Sequence, residues 1–570
     1  CKQYMLNVFH QSKTCIYNFN KKLYTYNKFQ EHISAQLRKE NIMALVENPI
    51  LRCFNPDPCI TRAGDDYYIA TSTFEWYPGV QIHHSKDLVN WKVVKQPLEC
   101  PKHFNMAGIG DSAGIWAPCL SYHDGTFFLV YTVMTTIGQF KCSHNYLTTA
   151  TDVEGEWSEP VYIDSNGFDA SLFHDDDGRK YYMSMTWDYR AGRNKFGGIL
   201  LQEYDYKNKK LIGEMKNIFK GALGKTEGPH IYKHGGYYYL MTAEGGTGAS
   251  HATSVCRSKS IWGPYEVAPN NPILTTADDR HWPLQRAGHS SIVEGKNGDW
   301  YLVHLCSRTY FKPEDTEHIE GRSILGRETA IQRVVWTEDG WLTLANGTNK
   351  PDVVLEIASG SQPAPKKLSY KHDFDGDKLD IMFQTLRTPN KDCIIVGERP
   401  SWLTLKGKDM LCSTYTQALV GTRANTMKFT VATKLEFAPK TFKNMAGLSM
   451  FYNTANYFYL AYSRDDDGNY VLSIYDRHRG EFGEPVSELK TNTSGLIYLK
   501  ADVDFDKLQF SYSADGAKYV NVGEVLDMSM ISDEYVTGGS FTGAMIALCC
   551  QDMTGHELPA YFDWLEYSDK

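Results

Sequence analysis

The sequence predicts an all-β chain: a five-bladed β-propeller followed by a C-terminal β-sandwich. Three observations carry that prediction. Five stretches in the first two-thirds of the chain share one pattern: a short apolar strand, a Gly/Asp turn, then an aromatic-led strand. They recur 53 to 62 residues apart. From Tyr370 the pattern changes to alternating runs such as KFTVATKLEF and NYVLSIYDR, which read as strands with one buried face.

The five units read DPCITRAGDDYYIATS from Asp57, WAPCLSYHDGTFFLVYT from Trp116, DASLFHDDDGRKYYMSM from Asp169, EGPHIYKHGGYYYLMTA from Glu227 and HSSIVEGKNGDWYLVHL from His289. A Gly-type turn between β-rich runs is a hairpin signal. The period is too long for most solenoid repeats, which run roughly 20 to 47 residues, and suits a four-stranded blade with loops. In a radial array, equivalent positions converge. Asp57, Trp116, Asp169, Glu227 and His289 are therefore expected at one mouth of the central channel.

In chain order, residues 1–43 form a Lys-, Asn- and Tyr-rich leader with no apolar signal segment. It is read as foreign to the fold or loosely ordered, with Met43 as the natural start and a short helix over QEHISAQLRKE. Residues 44–350 are the propeller. Within it Trp91, Trp157 and Trp262 are expected to pack between neighbouring sheets from outer strands. ILGRETAIQRVVWTEDGWLTL reads as a closing strand pair. Residues 351–369, rich in Pro, Ser and Gly, read as a linker. Residues 370–570 read as a β-sandwich packing on the propeller.

Composition narrows the function classes. The 570 residues carry a net charge of −9, which argues against nucleic acid or an anionic membrane as partner. No apolar run is long enough to span a bilayer. Aromatics make up 13%, with 37 Tyr, which suits β-structure and sugar-stacking surfaces. Thirteen cysteines, scattered without CxxC spacing, argue against a disulfide framework or a zinc site. They fit reduced thiols in a cytoplasmic protein, with Cys549 and Cys550 as core filler.

Three carboxylates in one cleft cannot all ionise at their usual values, so a proton donor and a proton acceptor coexist there. Glycoside hydrolysis needs such a pair. Glu227, longer and at a strand edge, suits the acid. Asp57, stiffened by flanking prolines, suits the base that positions water. Asp169 is the third group, tuning Glu227. Taken singly, each of these also reads as a turn or surface residue. Only the shared place in the repeat raises them. Likewise His289 alone reads as a core histidine, and Trp116 as blade packing. DDD at 175–177 and 465–467 reads as solvated hairpin turns.

NPILRCFNPDPCITRAGDDYYIATSTFEWYPGVQIHHSKDLVNW, GIWAPCLSY, FDASLFHDDDGRKYYMSMTWD, KTEGPHIYK, RAGHSSIV and LGRETAIQ together resemble glycoside hydrolase family 43. The likeness is to its β-xylosidase/α-L-arabinofuranosidase branch and spans about residues 46–570. It implies an inverting mechanism with Asp57 as base, Asp169 as pKa modulator and Glu227 as acid. It places pocket walls on Phe74, Trp116, His289 and Arg327, and a closing sandwich loop on Phe541. From the residues alone, Arg327 reads equally as a partner of Glu328, and Phe541 as core. The resemblance also implies no required cofactor. It allows Ca2+ in the propeller channel, held by His289 through waters. One histidine among oxygen ligands would be a weak calcium site. Xylose release from xylo-oligosaccharides such as xylobiose is expected, with activity on arabinofuranosides. Exposed sandwich faces suggest a homo-dimer or tetramer. A non-catalytic sugar-binding propeller and an endo-acting arabinanase are the alternatives.

Overall fold

The computed structural model describes residues 43–99, 105–312, 314, 316, 320–388, 391–537 and 539–570. The leader 1–42, and the helix expected in it, lie outside the described residues.

Each repeat forms the hairpin its turn dictates. The pairs are Cys59–Ala63 with Asp66–Thr71, Cys119–His123 with Thr126–Thr136, Ser171–His174 with Lys180–Trp187, Glu227–His234 with Tyr237–Glu244, and Gln285–Glu294 with Trp300–Ser307. Asp124 and Gly125 show why such turns suit a twisted ladder: both have positive φ, 47° and 74°. That pair matches the right-handed twist of the flanking strands. Further strands complete five antiparallel sheets. The first strands touch in sequence, and the fifth, Gln285–Glu294, returns to the first, Cys59–Ala63. This closed ring is the propeller.

Its core is a set of apolar wedges between adjacent sheets. Ala70, Ile82, Leu120 and Phe127 fill one wedge, and Val130, Leu172 and Tyr182 fill the next. Trp91, Trp157 and Trp262 occupy the connection between the third and fourth strands of their sheets rather than the strands themselves. Trp262 still meets the neighbouring sheet, edge-to-face on Tyr181 at 5.8 Å. Glu328–Trp336 and Leu342–Leu344 pair as the closing strands. The stretch read as a linker is partly built into the propeller: Val354–Ile357 pairs with Ala44–Glu47 and clasps the two ends of the ring.

The C-terminal region is two antiparallel sheets of eight and six strands around Phe429, Leu435, Leu448, Leu460 and Phe510. The single buried face expected from alternation holds for Leu496–Asp504. It fails for Asn444–Asn453, where every residue is buried. The reason is the propeller, which covers the outer face of the six-stranded sheet. Phe451, Tyr459, Ala547 and Cys549 pack there with Phe54 and Trp76. A short strand pair, Thr385–Leu386 on Trp76–Tyr77, crosses the junction. Arg387, fully buried, donates through Nη2 to Asp111 Oδ1 at 2.8 Å and through Nε to the Ile109 carbonyl at 2.7 Å. Removing one partner of such a buried pair costs about 3–5 kcal/mol.

The ten described cysteines are free thiols, and Cys549 and Cys550 are buried core residues. The two DDD stretches are turns, but they are not simply solvated. Asp175 is buried and accepts from Lys233 Nζ at 2.6 Å, and Asp465 accepts from Asn469.

Candidate active site

The first strands begin at one mouth of the ring, and the chain enters several of them through the left-handed region. Asp57, Asp169 and His289 have φ of 54°, 53° and 50°. Phe74 shares that conformation at 51°. Such backbone costs about 1–3 kcal/mol per residue and persists only where the surroundings enforce it. Here it turns three polar side chains out of the blade ladder and into one cavity. That cavity is lined by Asp57, Phe74, Trp116, Asp169, Glu227, His289, Arg327 and Phe541, together with Ala117, Phe168 and Thr247. All eight residues singled out in the sequence therefore meet.

Asp57 is 5% exposed. Its Oδ2 accepts from Ser72 Oγ at 2.6 Å and its Oδ1 from Arg327 Nη1 at 3.0 Å. His289 Nδ1 stands 3.5 Å from the same Oδ1. Burial alone would raise this carboxyl. The Arg327 guanidinium, His289 and the Ser72 hydrogen bond outweigh burial and hold it below the ordinary value. Glu227 has no such clamp. Burial first, then the Asp57 charge, push it up to about 7. Asp169 is also raised well above the usual range, by burial and by the Glu227 and Asp57 charges. One carboxyl is thus kept ionised and two are biased toward the protonated form.

Arg327 does not pair with Glu328, the alternative its sequence neighbour suggests. Glu328 is taken by Arg308 through two 2.7 Å hydrogen bonds and by the Cys53 amide. Arg327 instead reaches Asp57, Thr247 Oγ1 at 3.1 Å and the Phe541 carbonyl at 3.1 Å. Its guanidinium also lies over the rings of Phe74 and Phe541, 5.4 and 5.3 Å from their centroids.

The aromatic wall joins both regions of the chain. Phe541 stands 5.6 Å from Phe74 and 5.6 Å from Trp116, edge-on to the latter. Trp116 packs on Phe168 at 4.9 Å and is fixed by its Nε1–H on the Ser112 carbonyl. The Phe541 loop can approach because two glycines leave room. A Cβ on Gly326 would fall 1.9 Å from the Thr542 carbonyl oxygen, and one on Gly543 would fall 2.5 Å from that of Leu325.

Several site residues carried no sequence signal of their own. Ser72 directly follows an ordinary strand, Asp66–Thr71, and Thr247 sits in a Gly-rich loop. Lys141, with Nζ 5.2 Å from the Trp116 ring and 4.7 Å from that of Trp187, directly precedes the strand Cys142–Ala150, and its charge opposes the rise of Glu227. Phe168 was within reach, because it directly precedes Asp169 in FDAS.

Calcium at His289 does not fit these groups. The ring lies between Asp57 and the backbone of Gly228, whose Cβ would meet His289 Nε2 at 2.8 Å. The neighbouring carboxylate is already bound to a guanidinium. Calcium needs six to eight oxygen ligands, and a fixed cation beside the position opposes a second one.

The ring of sheets and its carboxylate-lined, aromatic-walled cavity define a carbohydrate-processing propeller with an appended sandwich. Residues 46–342 match Glycosyl hydrolases family 43, and residues 371–568 match the Beta xylosidase C-terminal Concanavalin A-like domain. The chain belongs to glycoside hydrolase family 43. It is 44% identical to a Beta-xylosidase of Bacillus subtilis (strain 168) over 92% of this chain and 100% of that protein. It is 45% identical to Xylosidase/arabinosidase 43B of Humicola insolens, over 92% and 98%. The crystal structure of xylan beta-1,4-xylosidase from Bacillus Halodurans C-125 superposes with a TM-score of 0.88 at 44% identity, covering 92% of this chain and all of that one.

Proposed function

We propose that this chain is an exo-acting, inverting glycosidase. It releases xylose from the non-reducing ends of short β-1,4-xylo-oligosaccharides, xylobiose included, with α-L-arabinofuranosidase as a second activity. One observation carries the reading: one aromatic-walled cavity holds a carboxyl pulled down by Arg327 and another pushed up to about 7 by burial.

In this mechanism Asp57 is the base. Ionised, it accepts a proton from a water whose oxygen attacks the anomeric carbon. Glu227 is the acid. It gives its proton to the glycosidic oxygen as the carbon–oxygen bond breaks, so one proton is taken up and one delivered. Asp169, itself pushed toward the protonated form, is the third group, tuning Glu227 and orienting the sugar, while burial and the Asp57 charge keep the Glu227 proton bound until transfer. Trp116, Phe74 and Phe541 supply apolar faces for the sugar ring. Arg327 fixes the base, and His289 borders it. No cofactor enters any step. The names of the Bacillus and Humicola relatives support the substrate class. Phe541, reaching in from the sandwich, narrows the cavity and favours removal of one terminal sugar over endo-cleavage.

The reading extends to the cytoplasm as compartment, in keeping with ten free thiols. It extends also to a homo-dimer or tetramer, for which the exposed Phe482, Val520 and Val525 on sandwich edge strands offer a surface.

The test is hydrolysis of β-1,4-xylobiose followed by NMR at early times. α-Xylose should appear first. Early β-xylose would mean retention and would overturn the water-base role of Asp57. A relative from Vibrio sp, 44% identical, is named Xylan 1,3-beta-xylosidase, so β-1,3-xylobiose belongs in the same assay. Cleavage of that isomer alone would overturn the linkage. Binding without cleavage of either would leave a sugar-binding propeller.

A further inference from the structure

The channel below the carboxylates holds a second cluster. Cys59, Cys119 and His230 lie on the first strands of three different sheets. Their ligating atoms all fall within 4.8 Å of one another. Both cysteines are buried, at 3% and 4% exposure. Among the described residues no hydrogen bond engages either ring nitrogen of His230. The residues around this cluster form a cavity that draws on the first strands of all five sheets.

The sequence argued against zinc because no two cysteines have ligand spacing. The fold removes that objection. In a propeller, ligands need not be close along the chain, because the ring brings every first strand to one axis. Two sulfurs and one imidazole are a soft donor set. They select thiophilic, tetrahedral d10 cations over calcium or magnesium, which take oxygen. A tetrahedral Zn2+ with Zn–S of about 2.3 Å sets its two sulfurs roughly 3.7 Å apart. The ligating atoms already lie within 4.8 Å of one another, so rotation of the cysteine side chains suffices to reach that spacing. Hydroxyls stand close by. Ser291 Oγ is 3.9 Å from Cys59 Sγ and accepts from Tyr232 Oη at 3.2 Å.

We propose that Cys59, Cys119 and His230 form a binding site for a thiophilic divalent cation, Zn2+ by chemistry, with the fourth position open to the channel. The site ties together strands that begin at the active-site mouth. Cys59 follows Asp57 by two positions and His230 follows Glu227 by three. Its role is a staple across three sheets, separate from the hydrolytic chemistry.

The test uses the reduced, metal-stripped full chain titrated with Co2+. One equivalent should produce thiolate-to-cobalt charge-transfer absorption with tetrahedral d–d bands. Zn2+ should displace it and excess Ca2+ should not. Added Zn2+ should also raise the apparent Tm. The Cys59→Ser/Cys119→Ser double variant should lose the bands. Bands that persist in it would put cobalt on other thiols, such as the exposed Cys142 and Cys412, and overturn the site. Should the double variant not fold, the native chain decides by alkylation mapping. Zn2+ should shield Cys59 and Cys119 from iodoacetamide. Failure to shield them, an octahedral cobalt spectrum without charge transfer, or a Cys59–Cys119 disulfide in a chain whose reduced form takes up no metal would each overturn it. None of these readouts depends on sugar hydrolysis.

Discussion

Arg327 donates to Asp57 at 3.0 Å across 270 residues of chain, and the same guanidinium donates to the Phe541 carbonyl. One side chain therefore links a carboxylate of the first blade, the last blade and the sandwich loop. Its planar fork makes this possible, since two separate nitrogens serve two partners in fixed directions. The consequence is electrostatic as well as steric. Asp57 keeps its charge while buried, and its negative charge in turn raises Glu227.

Replacing Arg327 with Lys keeps a positive charge but not the fork. The expected result is a fall in kcat/KM on xylobiose of about 10²–10³-fold, the range found when one preorganised donor is lost. The acid limb of the pH profile should move to higher pH, because Asp57 loses the guanidinium hydrogen bond that fixes the positive charge against its carboxylate. A variant with unchanged kcat/KM and an unmoved acid limb would show that Arg327 does not set the state of Asp57.

The pH dependence follows from opposite shifts. As the proposed base Asp57 must be ionised, and its carboxyl is depressed, so activity should survive well into mild acid. As the proposed acid Glu227 must carry its proton, and its carboxyl is raised to about 7, so activity should fall as pH rises through about 7. The profile of kcat/KM against pH should be a bell whose alkaline limb lies near neutrality. An alkaline limb that persists unmoved in Glu227→Gln would assign it to another group.

Glu227→Gln removes the proposed proton donor without changing size. Turnover of xylobiose should drop by about 10²–10⁴-fold, the usual contribution of acid–base catalysis. The drop should be much smaller on p-nitrophenyl β-D-xylopyranoside, whose leaving group departs without protonation. Asp57→Asn should lower both substrates alike, since water activation is needed for each. Circular dichroism and Tm should show both variants folded. Equal losses on the two substrates for Glu227→Gln would remove it from the acid role.

The sequence made the carboxylates legible because they share one place in a repeated hairpin. Asp57, Asp169 and Glu227 need no structure to be aligned with one another, only the ten to twelve residues that separate each from the aromatic heading its second strand. Ser72, Thr247 and Lys141 have no repeat equivalent that singles them out. They matter only through which sheet edge faces which, a relation fixed by how the blades close. Asn444–Asn453 misled for the opposite reason. It reads as a strand, but the face opposite the sandwich core is covered by the propeller, and no local pattern encodes a partner that far away. The Cys59, Cys119 and His230 cluster was hidden likewise, since ring closure rather than spacing brings the three together.

Phe541 offers the sharpest test of whether the sandwich belongs to the site. Its ring contacts Phe74, Trp116 and the Arg327 guanidinium, while its backbone carbonyl holds Arg327. Phe541→Ala removes the ring and leaves the carbonyl in place. An aromatic contact of this kind contributes about 0.5–1.5 kcal/mol beyond its buried area. KM for xylobiose should therefore rise about 10-fold, with a smaller change in kcat, because Asp57 and Arg327 stay paired. Gly326→Ala acts on the same loop through its backbone, because the added Cβ collides with the Thr542 carbonyl. It should raise KM and also lower kcat, since the shifted loop withdraws the Phe541 carbonyl from Arg327. Steady-state kinetics of the two variants separates the ring from the clamp. If Phe541→Ala leaves KM unchanged while Gly326→Ala cuts kcat, the loop serves the base through Arg327 and does not touch the sugar.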